Sequence, residues 1–347
     1  VVTVMGLALA SSAAAVAQPA WACGCGAMIA DGSVRVSDET SIVRHDAAAG
    51  TEDIVMRLSA ESAEKDAAWL FPTPSEATVR LGERGWFEQL DALTEPRVVT
   101  RRVWFPDLGS GDGATAGGAP PAPGGSVEVL GERDLGPFRV ATLDADDPDA
   151  LSGWLTRNGY RLRPDLAKAL GPYVEQGWKY VAVKLRPSSG ARLTGELAPL
   201  HVSFASDELV YPMRLSRLAK NTQRLRLYVL GEHRVEQTTG ARMRVAFAGR
   251  VTPERVRSPE LRRFLGKGLF MTELDDGRID PERIVDDYRF TATDDEPYRQ
   301  VVYREEVVRF LGMPAGWLIV FTAGALAVGL GAVPAARRLR RHRAAGG

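Results

Sequence analysis

The stretch QPAWACGCGAM holds both cysteines of this 347-residue chain, one glycine apart. Cys23 and Cys25 admit several chemistries. A disulfide between them closes a very small ring and needs a turn at Gly24 that brings the two Cα atoms to about 5.5 Å. So short a loop stabilises little, and its strained bond is readily reduced. A disulfide to another chain is the intermolecular form of the same reading. Lipidation of Cys23 as a new amino terminus is a second reading, although Ala20 stands where an aliphatic residue is usual. A soft-metal site using both thiolates is a third, with Met28 nearby, but no metal-ligand set is assigned. Unreactive thiols complete the choice, and the sequence leaves all four open.

The four histidines, His45, His201, His233 and His342, are far apart in the chain. His201 has Ser203, Ser206 and Asp207 close by, and a hydrolytic triad can be assembled from scattered segments. No Gly-x-Ser-x-Gly nucleophile elbow is present, and no catalytic residue is assigned. Carboxylates cluster twice, as Asp144, Asp146, Asp147 and Asp149 in LDADDPD and as Asp294, Asp295 and Glu296 in TDDEP. Calcium is the one ion such clusters could take. The full calcium-loop spacing is absent, and the residues have structural uses. Asp147 can cap a helix opening at Pro148, and Asp149 suits its positive end. No cofactor is assigned.

These residues need a frame to position them. A hydrophobic fraction of 45% and a charged fraction of 25% are those of an ordinary globular protein. The length calls for one large or two medium domains. Net charge is zero, yet the first thirty residues carry no charge and the last eleven hold five arginines. Without those arginines the rest carries about −5. That excludes a nucleic-acid binder, which needs clustered positive surface to neutralise phosphate.

Period-two alternation dominates the middle of the chain. RLRLYVL places Leu225, Leu227 and Val229 inward and Arg224 and Arg226 outward. ARMRVAFAG repeats the scheme with Met243, Val245 and Phe247. WKYVAVKL is apolar on both faces and predicts a strand buried on both sides. Further strands are expected over 40–45, 53–60, 67–72, 96–105, 126–131, 138–143, 199–206 and 298–308. In WLFPTP, Pro72 and Pro74 are expected to end the strand. Helices are predicted from Pro148 to Asn158-Gly159 and from Pro164 to Gly177, with shorter ones in RGWFEQLDAL and SPELRRFLG. Residues 109–126, rich in glycine and proline, are expected to form a disordered loop inserted between two strands of one sheet. No helix follows them, so a phosphate loop is rejected.

The ends speak for an address. VMGLALASSAAAVA reads as the apolar core of a secretory signal over 1–22, with AWA as the site of cleavage after Ala22. Residues 311–336 hold 26 residues without a charge. About 20 suffice to span the roughly 30 Å hydrocarbon core of a bilayer. Trp317 sits near one end of this run and Arg337–Arg343 follow the other. Gly324, Gly329 and Gly331 would let another helix approach. The expected fold is therefore α+β: a β-rich, mostly antiparallel extracytoplasmic body over 23–310 plus one C-terminal transmembrane helix. A basic cytoplasmic tail over 337–347 completes it, and the lipid bilayer is the first expected partner.

Three stretches taken together, DAAWLFPTPSEATV, EQGWKYVAVKL and APLHVSFASDELVYPMRLSRLA, carry a resemblance. With the ACGCG start and the apolar end, the chain resembles the bacterial family "domain of unknown function 2330" over roughly Ala22 to Leu230. The resemblance implies a secreted, membrane-tethered body. It implies no reaction, and so no catalytic residues. The expected function is a non-enzymatic binding or scaffolding module for an envelope component or partner protein. The alternatives are a tethered hydrolase or processing enzyme and a thiol or metal protein using Cys23 and Cys25.

Overall fold

The structure is a computed structural model and describes residues 21–23, 26–29, 34–62, 67–105, 128–135, 138–144, 148–160, 163–185, 194–310 and 312–326. The chain divides into two compact units. The first comprises residues up to Glu95 together with Ala116–Arg299, and the second comprises Pro96–Thr115 and the residues from Gln300 onward.

Strand Ala67–Thr73 shows why the first unit folds as it does. Trp69 and Phe71 alternate with Ala68 and Leu70, so both faces are apolar, and every residue of the strand is buried. Such a strand belongs in the middle of a sheet covered on both sides. It pairs antiparallel with Gly26–Ile29 on one side and with Lys179–Leu185 on the other. Trp21–Cys23 extends the sheet at one edge, and Phe138–Asp144 and Glu128–Leu135 extend it at the other. Pro72 lies within this ladder, opposite Tyr180, rather than ending the strand. Among the described residues the Gly26–Ile29 strand pairs only as far as Leu70, so Pro72 has a described neighbour on one side alone, which tolerates its missing N–H.

A larger sheet faces this one. Its order is Tyr298–Arg299, Arg244–Val251, Leu269–Ile279, Gln223–Gly231, Val34–Asp46, Thr51–Ser62, Leu200–Ala205 and Ala77–Leu81, with Thr194–Glu196 also on Thr51–Ser62. Pairing is antiparallel except between Gln223–Gly231 and Val34–Asp46, which run parallel. The inner faces meet in one core that joins Trp69, Phe71, Val181 and Val183 to Ile54, Met56, Leu227 and Val229. Burying Phe71 alone contributes about 1.5–3 kcal/mol.

Each sheet also buries its outer face, under helices α1 (Arg84–Thr94), α2 (Pro148–Arg157), α3 (Pro164–Glu175) and α4 (Pro259–Leu265). From α1 and α4, Trp86, Phe87, Leu90, Leu261 and Phe264 lie on Ile42, Val55, Tyr228 and Leu230 of the large sheet. The pair α2 and α3 covers Leu70, Leu143, Tyr180 and Ala182 of the smaller sheet.

Leu225, Leu227 and Val229 face inward as their alternation predicts. In ARMRVAFAG the alternation breaks. A bulge between Val245 and Phe247 shifts the register, and Phe247 turns to the outer core while Met243 stays in the inner one. A small three-stranded sheet, ordered Leu209–Tyr211, Tyr288–Ala292, Val235–Gln237, completes the unit.

In the second unit Arg97–Val103 and Val301–Val307 pair in parallel. Arg309–Phe310 and Met313–Pro314 form a short hairpin, and a helix, α5, covers 315–326. The expected α+β body with a transmembrane helix is corrected here. The described architecture is mostly β-sheet, and no helix among the described residues is long and apolar enough to cross a membrane. Part of the uncharged run is used for main-chain pairing instead. Met313 and Pro314 are spent on the hairpin, with Gly312 at φ +83°. The helix therefore opens only at 315, where the Gly316 amide binds the Trp104 carbonyl at 2.9 Å. Residues 327–347, with Gly329, Gly331 and the arginine cluster, lie outside the described residues, as do residues 1–20 and 106–127. The strands on either side of the glycine- and proline-rich segment join different sheets rather than one.

Candidate functional site

His201 sits on strand Leu200–Ala205, on the face that α1 and α4 cover, and is 1% exposed. Trp86 and Phe264 stand edge-on to its ring, at 6.2 and 5.7 Å. Its Nε2 lies 2.7 Å from Asp53 Oδ1 and 3.3 Å from the Arg80 guanidinium. Ser203 donates its hydroxyl to the same Asp53 oxygen at 2.5 Å. The carboxylate thus stands between serine and histidine. Nucleophilic catalysis requires the imidazole in the middle, taking the serine proton. Burial works against the Asp53 charge, yet hydrogen bonds from His201 and Ser203 and the charges of His201 and Arg44 hold its carboxyl below the usual range. The cluster pins the strands beneath α1 and α4.

His45 and His233, unconnected in sequence, come to one place. A cleft of about 380 Å³ opens where the ends of the large sheet meet the three-stranded sheet. Its floor is Leu209, Val235 and Phe290, which strand pairing sets side by side through Leu209 opposite Phe290. His45, Asp207, Glu208, Glu232, His233 and Arg289 surround that floor. His45 Nε2 lies 3.2 Å from the Ser206 carbonyl. Arg289 Nε donates to both Glu208 oxygens at 3.0 Å, so its charge is answered within the cleft. Asp207 and Glu232 are exposed and make the rim acidic. By contrast, the void bounded by Met28, Met56, Trp69, Phe138 and Leu200 between the sheets is apolar and about 10 Å³, the volume of about one water.

Glu52 is a residue that the sequence reading passed over. It is fully buried next to the cleft, directly opposite His45, and accepts a hydrogen bond from the Val210 amide at 3.2 Å. Burial pushes its carboxyl well above the ordinary range. The Val210 amide opposes that shift, and the charges of Glu208 and Asp53 reinforce it. The signal was present in TEDIVMRL, where Glu52 falls in phase with the inward Ile54 and Met56. Asp287 was also missed. It is fully buried and receives Tyr173 Oη at 2.5 Å and the amides of Met213 and Arg214 at 2.8 and 2.9 Å. Burial and the Asp287 charge push the Tyr173 hydroxyl well above its usual range. Three donors on one carboxylate tie α3 to the segment after Tyr211.

The remaining expectations fall as follows. Cys23 ends the strand Trp21–Cys23 opposite Gly26, with Ala22 opposite Ala27, and Cys25 lies outside the described residues. Asp146 and Asp147 lie outside them too, and Asp144 is 2.6 Å from Lys179 Nζ. In the second acidic cluster, Asp295 accepts the Arg234 amide at 2.8 Å and lies 3.4 Å from His233 Nδ1. Among the described residues no three His, Cys, Asp or Glu side chains are grouped to hold a metal ion.

Comparison with known proteins adds a family and little else. No curated protein matches the chain. A crystal structure of baculovirus P35 aligns at 12% identity over 78% of this chain and 98% of that one, with a TM-score of 0.32, too low to carry an argument. A family model does match, over residues 19–291. That range takes in the His201 cluster, the first acidic cluster and nearly all of the cleft, and it stops before Asp294. The chain therefore belongs to DUF2330, the family described as an uncharacterized protein conserved in bacteria.

Proposed function

We propose that this chain is a non-enzymatic binding module that recognises a partner protein through the cleft around Leu209, Val235 and Phe290. The observation that carries this reading is the cleft's composition. An apolar floor sits inside a rim where Asp207 and Glu232 are exposed and the one arginine, Arg289, is already taken by Glu208. Such a surface suits a cation on an apolar stem, as in a lysine-bearing peptide segment, whose methylenes pack on the floor while the ammonium meets the rim. The reversed order of Ser203, Asp53 and His201 supports binding over hydrolysis.

A fluorescein-labelled lysine–leucine hexapeptide tests the reading by anisotropy. Binding should saturate, weaken as salt rises, and fall by about fivefold to tenfold in the double variant Asp207→Asn/Glu232→Gln. Equal binding of a glutamate–leucine hexapeptide, or an unchanged affinity in the double variant, would contradict it.

A further inference from the structure

We propose that Glu52 is a proton-operated latch beneath this cleft: neutral, it holds the Val210 amide and keeps the strand Leu209–Tyr211 in place, and ionised, it releases that strand and the cleft floor with it. The inference deepens, and rests on, the reading of the cleft as a recognition site.

Its basis is the setting of one carboxyl group. Glu52 lies on the inner face of Thr51–Ser62, with His45 opposite on one side and Phe204 opposite on the other. It is 0% exposed. One oxygen accepts the Val210 N–H at 3.2 Å, and the other has no hydrogen-bond partner among the described residues. Val210 is the middle of a three-residue strand whose far side pairs with Tyr288–Ala292, so this bond secures the strand's near side. Leu209, beside it, is floor, and Glu208 is rim.

The charged groups around Glu52 give its ionised form no counterion among the described residues. From the neighbouring strand comes His45, whose Nε2 is engaged at the Ser206 carbonyl. From the segment before Leu209 come Asp207 and Glu208, both acidic. From the Tyr288–Ala292 strand comes Arg289, held by Glu208. Asp53, the next residue, points to the opposite face and its own partners. A carboxylate in this setting has one N–H donor, whereas a neutral acid gives that N–H a carbonyl and leaves only a hydroxyl unmatched.

The direction of the pH response follows. A released, solvated Glu52 ionises near its ordinary 4.5, while burial keeps the latched acid protonated to higher pH. Between those two values the released form binds fewer protons, so the ratio of released to latched rises by about tenfold per pH unit. The stability that the latch supplies is full below 4.5 and is lost as pH rises toward the latched value.

The experiment uses the full chain, carboxyl-labelled with ¹³C at glutamate, without peptide. The Glu52 signal should titrate well above 4.5, and amide-exchange protection at Val210 and Tyr211 should fall by about tenfold per pH unit in that window. Glu52→Gln keeps an acceptor for Val210 and should abolish the pH dependence. A Glu52 signal titrating at the ordinary value overturns the latch, as does an unchanged pH dependence of protection in Glu52→Gln. Should that variant fail to fold, the wild-type titration decides alone. A latch that titrates in a protein that binds no hexapeptide upholds the latch and removes the recognition reading. Hexapeptide affinity that stays constant while the latch opens overturns the coupling between them.

Discussion

Asp287 shows how much a single enclosed carboxylate can hold. Its Oδ1 collects Tyr173 Oη and two main-chain amides, and Arg214 lies 3.4 Å from Oδ2 and over the Tyr173 ring. Asp287→Ala would leave three donors without their acceptor, while the Arg214 guanidinium keeps Asp286. A loss of about 3–5 kcal/mol is expected in urea unfolding. Tyr173→Phe removes one donor and leaves the rest, so about 1.5–3 kcal/mol should go. Equal losses from the two variants would contradict the central place given to the carboxylate. None of this was legible beforehand. Asp287 follows another aspartate in VDDYRF, and sequence alone does not say which of two adjacent acids turns inward. Glu52 was different, because its phase with Ile54 and Met56 marks it as inward-facing.

Elements were more readable than contacts. Pro148 and Pro164 open α2 and α3 where proline suits a first helical turn, and Asn158-Gly159 and Gly177 follow their ends. Helix α4 was announced by SPEL, and Ser258 accepts the Leu261 amide at 3.2 Å as its N-cap. That cap positions Phe264 against the His201 ring. Ser258→Ala should cost about 0.5–2 kcal/mol in thermal or urea unfolding, and a stability equal to wild type would deny the cap its role. Alternation likewise located the inner face of Gln223–Gly231. It could not show that this strand runs parallel to Val34–Asp46, because a period of two assigns faces and leaves neighbours open. Hydropathy likewise misplaced the start of the last helix. Hydropathy counted Met313 and Pro314 toward a helix, whereas main-chain pairing placed them in a hairpin.

At the scale of the first unit, two sheets packed face to face, with a helical pair on each outer face, bring distant residues to the rim of one sheet. The cleft draws on His45, the Asp207–Leu209 segment, Glu232–Val235 and Arg289–Ala292. The sequence singles out His45, Asp207 and His233 but no strand at Arg289–Ala292, and their meeting depends on distant pairings such as Leu209 with Phe290. This is why His201, with serine and aspartate close in sequence, drew attention as a site while His45 and His233 did not. Burial reverses that order: His201 is sealed under Trp86 and Phe264, and the other two face the cleft. The histidine rings therefore report directly on whether recognition occurs where the fold places it. In protein labelled with ¹⁵N at histidine and titrated with the lysine–leucine hexapeptide, the ring signals of His45 and His233 should move together while that of His201 stays fixed. Movement of His201 alone, or of none of the three, would contradict the account.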